Sequence, residues 1–159
     1  MTFRTPHDAE EPIGVVATST STGAGAAVCT DIGYASDNVR RIVSDVDILV
    51  LESNHDEQML ENGPYPPWLI RRIASNTGHL SNRACASLVR ESVTPKLRQI
   101  VLAHLSEKNN TPMVAYESMK RAIRGTGFRG ALIPAAQGAV VGPFMPRGLR
   151  VAEQLSLIL

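Results

Sequence analysis

The strongest constraint on this chain is a set of short apolar runs, each followed at once by a residue that can bind a metal or move a proton. The runs are AAVCT, VDILVL and RQIVLA, and they are followed by Asp31, Glu52 and His104. Short apolar runs bounded by polar residues are typical of buried strands. The side chain after each strand is therefore expected to lie at an edge of a sheet.

Helical patterns alternate with these strands. A further strand is predicted at 13–19 ("IGVVATS"), joined to 26–30 by the turn "TSTGAG". Helices are predicted at 36–43 with Ser36 as N-cap, near 67–74, at 81–93 with Ser81 as N-cap, and from Thr111 with Pro112 at the first position. "GALIPAA" and "GAVVGPF" predict two closing strands in a meander, and "LRVAEQLSLIL" one more helix or strand. The alternation predicts one α/β domain over residues 1–159.

Composition limits the classes of function. Hydrophobic residues make up 43% and charged residues 19%, which favours a packed core over disorder. A net charge of +1 gives no overall attraction to nucleic acid, although a local basic patch is compatible with it. Aromatic residues make up only 4%, so few side chains can stack on bases.

The N-terminus and the cysteines favour a cytoplasmic protein. "MTFRTPHDAEEP" lacks the apolar core of a signal peptide, and no apolar stretch reaches the roughly 18 residues that span a bilayer. Cys29 and Cys85 each lie in an apolar or helical pattern. They are expected to be free thiols in the core, as in a reducing compartment.

Ligands of α/β proteins gather at the carboxyl ends of the strands, so Asp31, Glu52 and His104 are expected to meet along one rim. His7 and His79 lie just ahead of a strand and a helix and could join them. Imidazole and carboxylate ligands suit zinc or manganese better than calcium. Each residue also has a structural explanation, since Asp31 can form a turn and a single histidine is often a surface residue.

Other common sites are absent from the sequence. The two cysteines do not have zinc-finger spacing, and the glycines of "TSTGAG" fit neither a Walker loop nor a dinucleotide fingerprint. "TSTST" provides hydroxyl groups without a nucleophile elbow.

Four segments carry a family likeness: "TPHDAEEPIGV", "CTDIG", "LVLESNHDEQMLENGPYPPWLIRRIASNTGHLSN" and "LAHLSEKNN". Together they resemble the metallo-β-lactamase fold, and most of all its WalJ-like (YycJ-like) branch of metal-dependent exonucleases. The likeness runs from about residue 5 to 145. It implies an αββα sandwich, in which two sheets face each other with helices outside.

The resemblance also implies roles for individual residues. His7, Asp31 and His104 match metal ligands of the family, and Asp31 matches the carboxylate that bridges two ions. His79, in "GHLSN", resembles a histidine near the scissile phosphate, which makes it a candidate general acid. Residues expected to support the ligands are His55, Asp56, Asn82 and Ser106. For His55 and Asp56, direct contact is as good an interpretation as support, and Asp56 could also simply begin a helix.

One departure from the family pattern affects the expected chemistry. The motif His-x-His-x-Asp-His, which supplies most ligands in the family, does not occur in this chain. The fold is therefore expected to be N-terminally incomplete, as in a gene fragment or a mis-annotated start. His7, Asp31 and His104 could hold one ion weakly, but they cannot build a clamp for two ions. Apolar rows left uncovered by the missing part are expected to promote dimers or aggregates.

The resemblance implies a hydrolase that cleaves phosphodiesters with metal-activated water, most simply a nuclease acting on DNA or RNA ends and not on a membrane. Four cations near the signature segments could guide phosphates, or could lie on an ordinary solvated face: Arg71, Arg72, Arg83 and Lys108. Two alternatives remain open. One is a thioester or lactone hydrolase of the same fold, and the other is a non-catalytic remnant or interaction module.

Overall fold

Six strands of one mixed β-sheet and five helices make up residues 1–145, the residues that the computed structural model describes. The strands are β1 Thr2–Arg4, β2 Ile13–Thr18, β3 Gly25–Cys29, β4 Ile48–Glu52, β5 Gln99–Ala103 and β6 Ala131–Pro134. The helices are α1 Asp37–Ser44, α2 Glu57–Glu61, α3 Pro67–Ile73, α4 Asn82–Ser92 and α5 Pro112–Ile123. The prediction of an α/β protein is confirmed.

The strands lie in the order β1-β2-β3-β4-β5-β6. The first three are antiparallel, whereas β3, β4, β5 and β6 run parallel. Parallel neighbours end at the same edge of a sheet, so the residues that follow β3, β4 and β5 emerge side by side. This topology places the residues at the ends of β3, β4 and β5 along one edge of the sheet.

Helices α1, α4 and α5 pack on one face of the sheet. Their apolar residues form a single core with alternate residues of the parallel strands: Ala27, Cys29, Leu49, Leu51, Ile100 and Leu102 from the strands, and Val39, Val43, Leu88, Val89, Ala115 and Met119 from the helices. Cys29 and Cys85 are free thiols in this core, as predicted. Burial raises the pKa of Cys29 to about 12, which keeps the thiol protonated.

The opposite face of the sheet is partly bare. Val15 and Val28, which are paired across β2 and β3, are each 44% exposed, and Ile13 is 55% exposed. A sandwich would need a second sheet against such a face. Residues 1–145 contribute one sheet, so the αββα sandwich and its missing part stay predictions.

The helix caps agree with the sequence. Ser36 and Ser81 each accept a hydrogen bond from the third backbone N–H of their helix, and Pro112 opens α5 after the cap Thr111. Among residues 1–145, no helix has the length and apolar character needed to cross a bilayer.

The predicted meander is wrong. Strand β6 is present, but it pairs parallel to β5, and residues 138–144 contain no strand. Gly138 and Gly142 have positive φ values of 71° and 122°, and Pro143 has no backbone N–H for a ladder, so this segment cannot pair as a regular strand. Strand β1 was not predicted, and helix α2 was foreseen only as the alternative that Asp56 begins a helix. The predicted element at 149–159 lies outside the described residues.

Candidate metal centre

Two of the predicted ligands have unusual backbones. Asp31 and His104, which follow β3 and β5, both have φ of 56°, and they are the two non-glycine residues with positive φ in the described part of the chain. This left-handed conformation is unfavourable for residues with a Cβ and persists where the surroundings enforce it, often at functional sites. Here it turns both side chains toward one point at the sheet edge.

Three side chains converge at that point. His7 comes from the loop between β1 and β2, and its Nε2 lies 3.7 Å from Asp31 Oδ1. His104 Nε2 lies 3.8 Å from the same oxygen. The structure thus brings together the three residues that the family likeness assigns to metal binding.

Hydrogen bonds at the opposite ring nitrogens determine which atoms are free to bind. His7 Nδ1 lies 2.9 Å from the carbonyl oxygen of Gly78, which can only accept, so this nitrogen carries the proton. His104 Nδ1 donates to Glu52 Oε1 at 2.8 Å. Both Nε2 atoms therefore carry the lone pair, and both lie close to Asp31.

A single ion shared by these three residues would require their side chains to move closer together. Two ligands at about 2.1 Å from one zinc ion are about 3.4 Å apart in a tetrahedral arrangement. The distances to Asp31 Oδ1, 3.7 Å and 3.8 Å, are slightly wider, and the ligand atoms of His7, Asp31 and His104 do not all lie within 4.8 Å of one another. The first group of described residues that meets this criterion is His7, Asp31 and His79. Two imidazoles and one carboxylate leave positions for water or substrate.

Glu52 lies beneath the three ligands and is fully buried. Its Oε1 accepts from His79 Nδ1 at 2.7 Å and from His104 Nδ1 at 2.8 Å, and its Oε2 accepts from the backbone N–H of Ile32 at 2.7 Å. Burial by itself would raise the pKa of Glu52, but the hydrogen bonds from His104, His79 and Ile32 outweigh it and lower the pKa. The same contact raises the pKa of His104.

Glu52, His79 and His104 form a second group with metal-ligand chemistry, but their geometry is that of a hydrogen-bond network. The Nδ1 atoms that face Glu52 already donate to it, so those nitrogens have no lone pair for an ion. His79 Nδ1 lies 4.0 Å from Asp31 Oδ1. Glu52 thereby fixes the ring of His79 and leaves its Nε2 for proton exchange.

The four residues expected to support the ligands do not hydrogen-bond the side chains of His7, Asp31 or His104 among the described residues. The Asp56 carboxylate accepts from the N–H groups of Gln58 and Met59 and caps α2, which agrees with its alternative explanation as a helix start. Ser106 Oγ accepts from the N–H of Asn109 in the loop after β5. His55 is buried behind the site, where desolvation lowers its pKa. Asn82 belongs to a buried hydrogen-bond network that reaches the backbone of His104 through Asn110 and Asn54.

That network joins the signature segments to one another. Asn110 Nδ2 donates to Asn82 Oδ1 at 2.9 Å and to the Ser53 carbonyl at 2.7 Å, and Ser53 Oγ donates to Asn82 Oδ1 at 2.6 Å. Asn54 Nδ2 donates to the carbonyl of His104 at 2.9 Å, which holds the left-handed backbone of that ligand. Much of the polar signature therefore positions the ligands and does not contact the ion site.

A cavity of about 410 Å³ opens beside the ligands and is bordered by His79, His104, Tyr65 and Lys108. Arg72 also borders it, but its guanidinium pairs with Asp8 at 2.6 Å. Arg83 pairs with Glu57 at 3.0 Å. Lys108 is therefore the predicted cation that has both a place in this cavity and no ion pair among the described residues.

Glu52 is the site residue whose role the sequence did not reveal. Its position at the end of β4 places it on the rim, but the sequence alone assigns no role to it. The sequence does contain a feature that points to Glu52. Glu52 is a carboxylate directly after the apolar run VDILVL, and the neighbouring apolar runs are followed by Asp31 and His104. A charge at such a position needs several hydrogen-bond partners, and neighbouring histidines can provide them.

Comparison with known proteins identifies the relatives of this chain. The chain is 36% identical over 126 residues to the exodeoxyribonuclease YycJ of Bacillus anthracis, covering 79% of this chain and 47% of that protein. It is 39% identical over 90 residues to the exodeoxyribonuclease WalJ of Streptococcus pneumoniae serotype 2, covering 57% of this chain and 34% of that protein. The chain is a homologue of the WalJ-like (YycJ-like) proteins.

The predicted resemblance to the WalJ-like branch is thus confirmed. The chain spans about half the length of one WalJ-like relative and a third of the other. No family model matches the chain.

Proposed function

We propose that this WalJ-like chain is the part of a metal-dependent phosphodiesterase that binds the end of a DNA strand and cleaves the bond next to it. The observation that carries the proposal is the convergence of His7 Nε2 and His104 Nε2 on Asp31 Oδ1, at 3.7 Å and 3.8 Å, beside a histidine that can exchange a proton. Both relatives are named exodeoxyribonucleases, which supports DNA as the substrate.

His7 and His104, whose Nε2 atoms lie 3.7 Å and 3.8 Å from Asp31 Oδ1, would hold the ion together with Asp31 once their side chains close on it. The mixture of imidazole and carboxylate favours zinc or manganese. When bound, such an ion supplies Lewis-acid chemistry and brings the pKa of water near neutrality. The other residues of the site are proposed to bind the substrate, to orient neighbouring side chains or to transfer a proton.

His79 is the proposed general acid. Its Nδ1 proton is held by Glu52 at 2.7 Å, so the ring cannot flip and its Nε2 is the atom left to protonate a departing oxygen. The same Glu52 carboxylate holds His104 at 2.8 Å. One buried charge thus fixes the distance between a metal ligand and the acid, a placement on which proton transfer depends.

Lys108 is proposed to contact the phosphate backbone. It borders the cavity that contains His79 and His104, where a cation lowers the repulsion between a polyanion and the two carboxylates of the site. Tyr65 borders the same cavity and offers a ring against which a base or sugar can pack.

Two alternatives predict different results. A thioester or lactone hydrolase would use the same ion but would gain little from Lys108, because its substrate carries no phosphate. An interaction module would bind nucleic acid or a protein without cleaving it, and it is favoured by the small share of the relatives that the chain covers, 47% and 34%. We favour the phosphodiesterase because Glu52 orients the ring of His79, an arrangement that proton transfer requires and that a non-catalytic remnant does not.

The test is digestion of end-labelled single- and double-stranded oligodeoxynucleotides by the purified chain loaded with Mn²⁺ or Zn²⁺. We expect shortening from one end, loss of at least about a hundredfold in rate for His104→Ala, and normal rates for the surface control Glu117→Gln. Undiminished digestion by His104→Ala would contradict the proposal. Binding without shortening would favour the interaction module, and hydrolysis of a thioester alone would favour the other enzyme.

A further inference from the structure

A second cavity lies on the other side of His79. It has a volume of about 440 Å³ and is formed by helices α2, α3 and α4. Its apolar lining comes from Leu60, Ile70, Ala74 and Ala84, and its buried polar wall from His55 and Ser81. His79 borders both this cavity and the one that contains His104, so a molecule bound here lies next to the proposed acid.

We propose that this cavity, here called the end pocket, binds the base and deoxyribose of the terminal nucleotide while the phosphate lies at His79. The inference rests on the proposed function and adds a binding site for the uncharged part of the substrate.

The charges of the two cavities support this division. Among the residues that line the end pocket there is no lysine or arginine, whereas Glu57 and Glu61 both line it. Carboxylates repel phosphate but accept hydrogen bonds from sugar hydroxyls and base amino groups. Glu57 is paired with Arg83, so Glu61 is the carboxylate that repels phosphate most in the end pocket. The neighbouring cavity is lined by Glu107 but also by Lys108 and by Arg72, which pairs with Asp8, so a phosphate finds cations there.

The walls of the end pocket suit a nucleoside. Its volume falls within the range of about 300–1,000 Å³ that is typical of small-molecule sites. Ile70 of α3 and Ala74 at its C-cap lie one turn apart, and Ala84 of α4 lines the same pocket, which gives apolar surfaces for a flat base. His55 is 2% exposed and hydrogen-bonds Asn54 Oδ1 through Nδ1 at 3.4 Å, which leaves Nε2 as an acceptor for the base edge.

Two buried side chains form part of the pocket wall. Leu60 and His55, which are 3% and 2% exposed, both line the pocket, so a strand end that lies at His79 could place its last nucleoside against them. The pocket would account for digestion from an end without any recognition of base sequence.

The test measures binding without cleavage. Deoxyadenosine monophosphate, deoxyadenosine and inorganic phosphate are titrated separately into the unmodified chain and into Ala74→Leu and Ala84→Leu, which fill the pocket from two different helices. Thr20→Leu, in the exposed turn between β2 and β3, is the matched control. Circular dichroism checks that each variant folds.

We expect each filled variant to bind the deoxynucleotide and the nucleoside at least about tenfold more weakly than the unmodified chain, with phosphate binding and the control unchanged. Equal deoxynucleotide affinity in the unmodified chain and both filled variants would overturn the inference, as would an unmodified chain that binds phosphate as tightly as the nucleotide. Because no cleavage is measured, failure of the nuclease test leaves these outcomes unaffected.

Discussion

At the scale of single residues, the site depends on one buried carboxylate. Glu52 is fully buried and hydrogen-bonds two imidazoles and a backbone N–H, so its charge is compensated inside the protein. Each imidazole so held has a fixed tautomer. In the proposed function, Glu52 would set the positions of a metal ligand and of the general acid through these hydrogen bonds.

Replacing that carboxylate should weaken metal binding without removing a ligand. In Glu52→Gln the shape is kept, but the charge that orients His104 is lost, so we expect zinc or manganese affinity to fall about 10- to 100-fold. Isothermal titration calorimetry measures it, with Glu117→Gln on the exposed side of α5 as control. An affinity equal to that of the unmodified chain would mean that Glu52 does not orient the ligands.

The metal-free protein should show a matching pH dependence. The hydrogen bond to Glu52 raises the folded-state pKa of His104 above its usual 6.5, so this contact stabilises the fold fully below pH 6.5 and the stabilisation is lost as pH rises through the raised pKa. The effect should be less than about 1 kcal/mol because the ring is partly exposed.

The measurement for that prediction is urea unfolding at pH 6 and pH 8 of the unmodified chain and of His104→Gln. Buried His55, whose pKa is lowered, has the opposite dependence, and its contribution cancels when the two proteins are compared. The difference in unfolding free energy between them should be larger at pH 6. A larger difference at pH 8 would show that the sign is wrong.

At the scale of elements, parallel strands bring distant parts of the chain to one edge, and helix caps hold the loops between them. Ser81 caps α4 by accepting from the Ala84 N–H at 3.1 Å, and it also donates to Glu57 at 3.0 Å. His79 lies two residues before this cap. The start of α4 therefore fixes the loop that carries the proposed acid.

The two serine caps allow a comparison. Ser81→Ala should cost about 1–2 kcal/mol of unfolding free energy, because it removes the cap and the contact to Glu57. Ser36→Ala, which removes only the cap of α1, should cost about 1 kcal/mol. Chemical denaturation measures both, and an equal or smaller cost at Ser81 would show that its second contact adds nothing.

The elements also explain what the sequence could and could not predict. Buried strands, helix caps and the parallel edge follow from local patterns, which is why Asp31 and His104 were placed on one rim. The hydrogen bonds of Glu52 and the role of Asn82 depend on pairing between segments far apart in the chain. The prediction of a strand at 138–144 was wrong because the apolar residues of this segment resemble a strand, whereas its glycines and proline prevent regular pairing.

At the scale of the whole molecule, the sheet has one covered face and one partly bare face. Helices α1, α4 and α5 cover the first, while Val15 and Val28 remain 44% exposed on the second. Adjacent apolar side chains on an open sheet face favour association. We therefore expect the isolated chain to self-associate as its concentration rises.

A single charge should reduce that association. Val28→Lys places an ammonium group in the middle of the bare face and should lower the fraction of dimers and larger species in sedimentation velocity experiments. Val140→Lys, in a fully exposed loop, is the matched control and should have no effect. If the two variants associate equally, the bare face is not the contact surface.

The most direct test of the account is an anomalous diffraction map of crystals of the chain loaded with Zn²⁺. The account predicts one strong peak at about 2.0–2.2 Å from His7 Nε2, His104 Nε2 and an oxygen of Asp31, with Glu52 still hydrogen-bonded to the far sides of His79 and His104. A zinc ion bound by Glu52 and His79, or no peak among His7, Asp31 and His104, would contradict it.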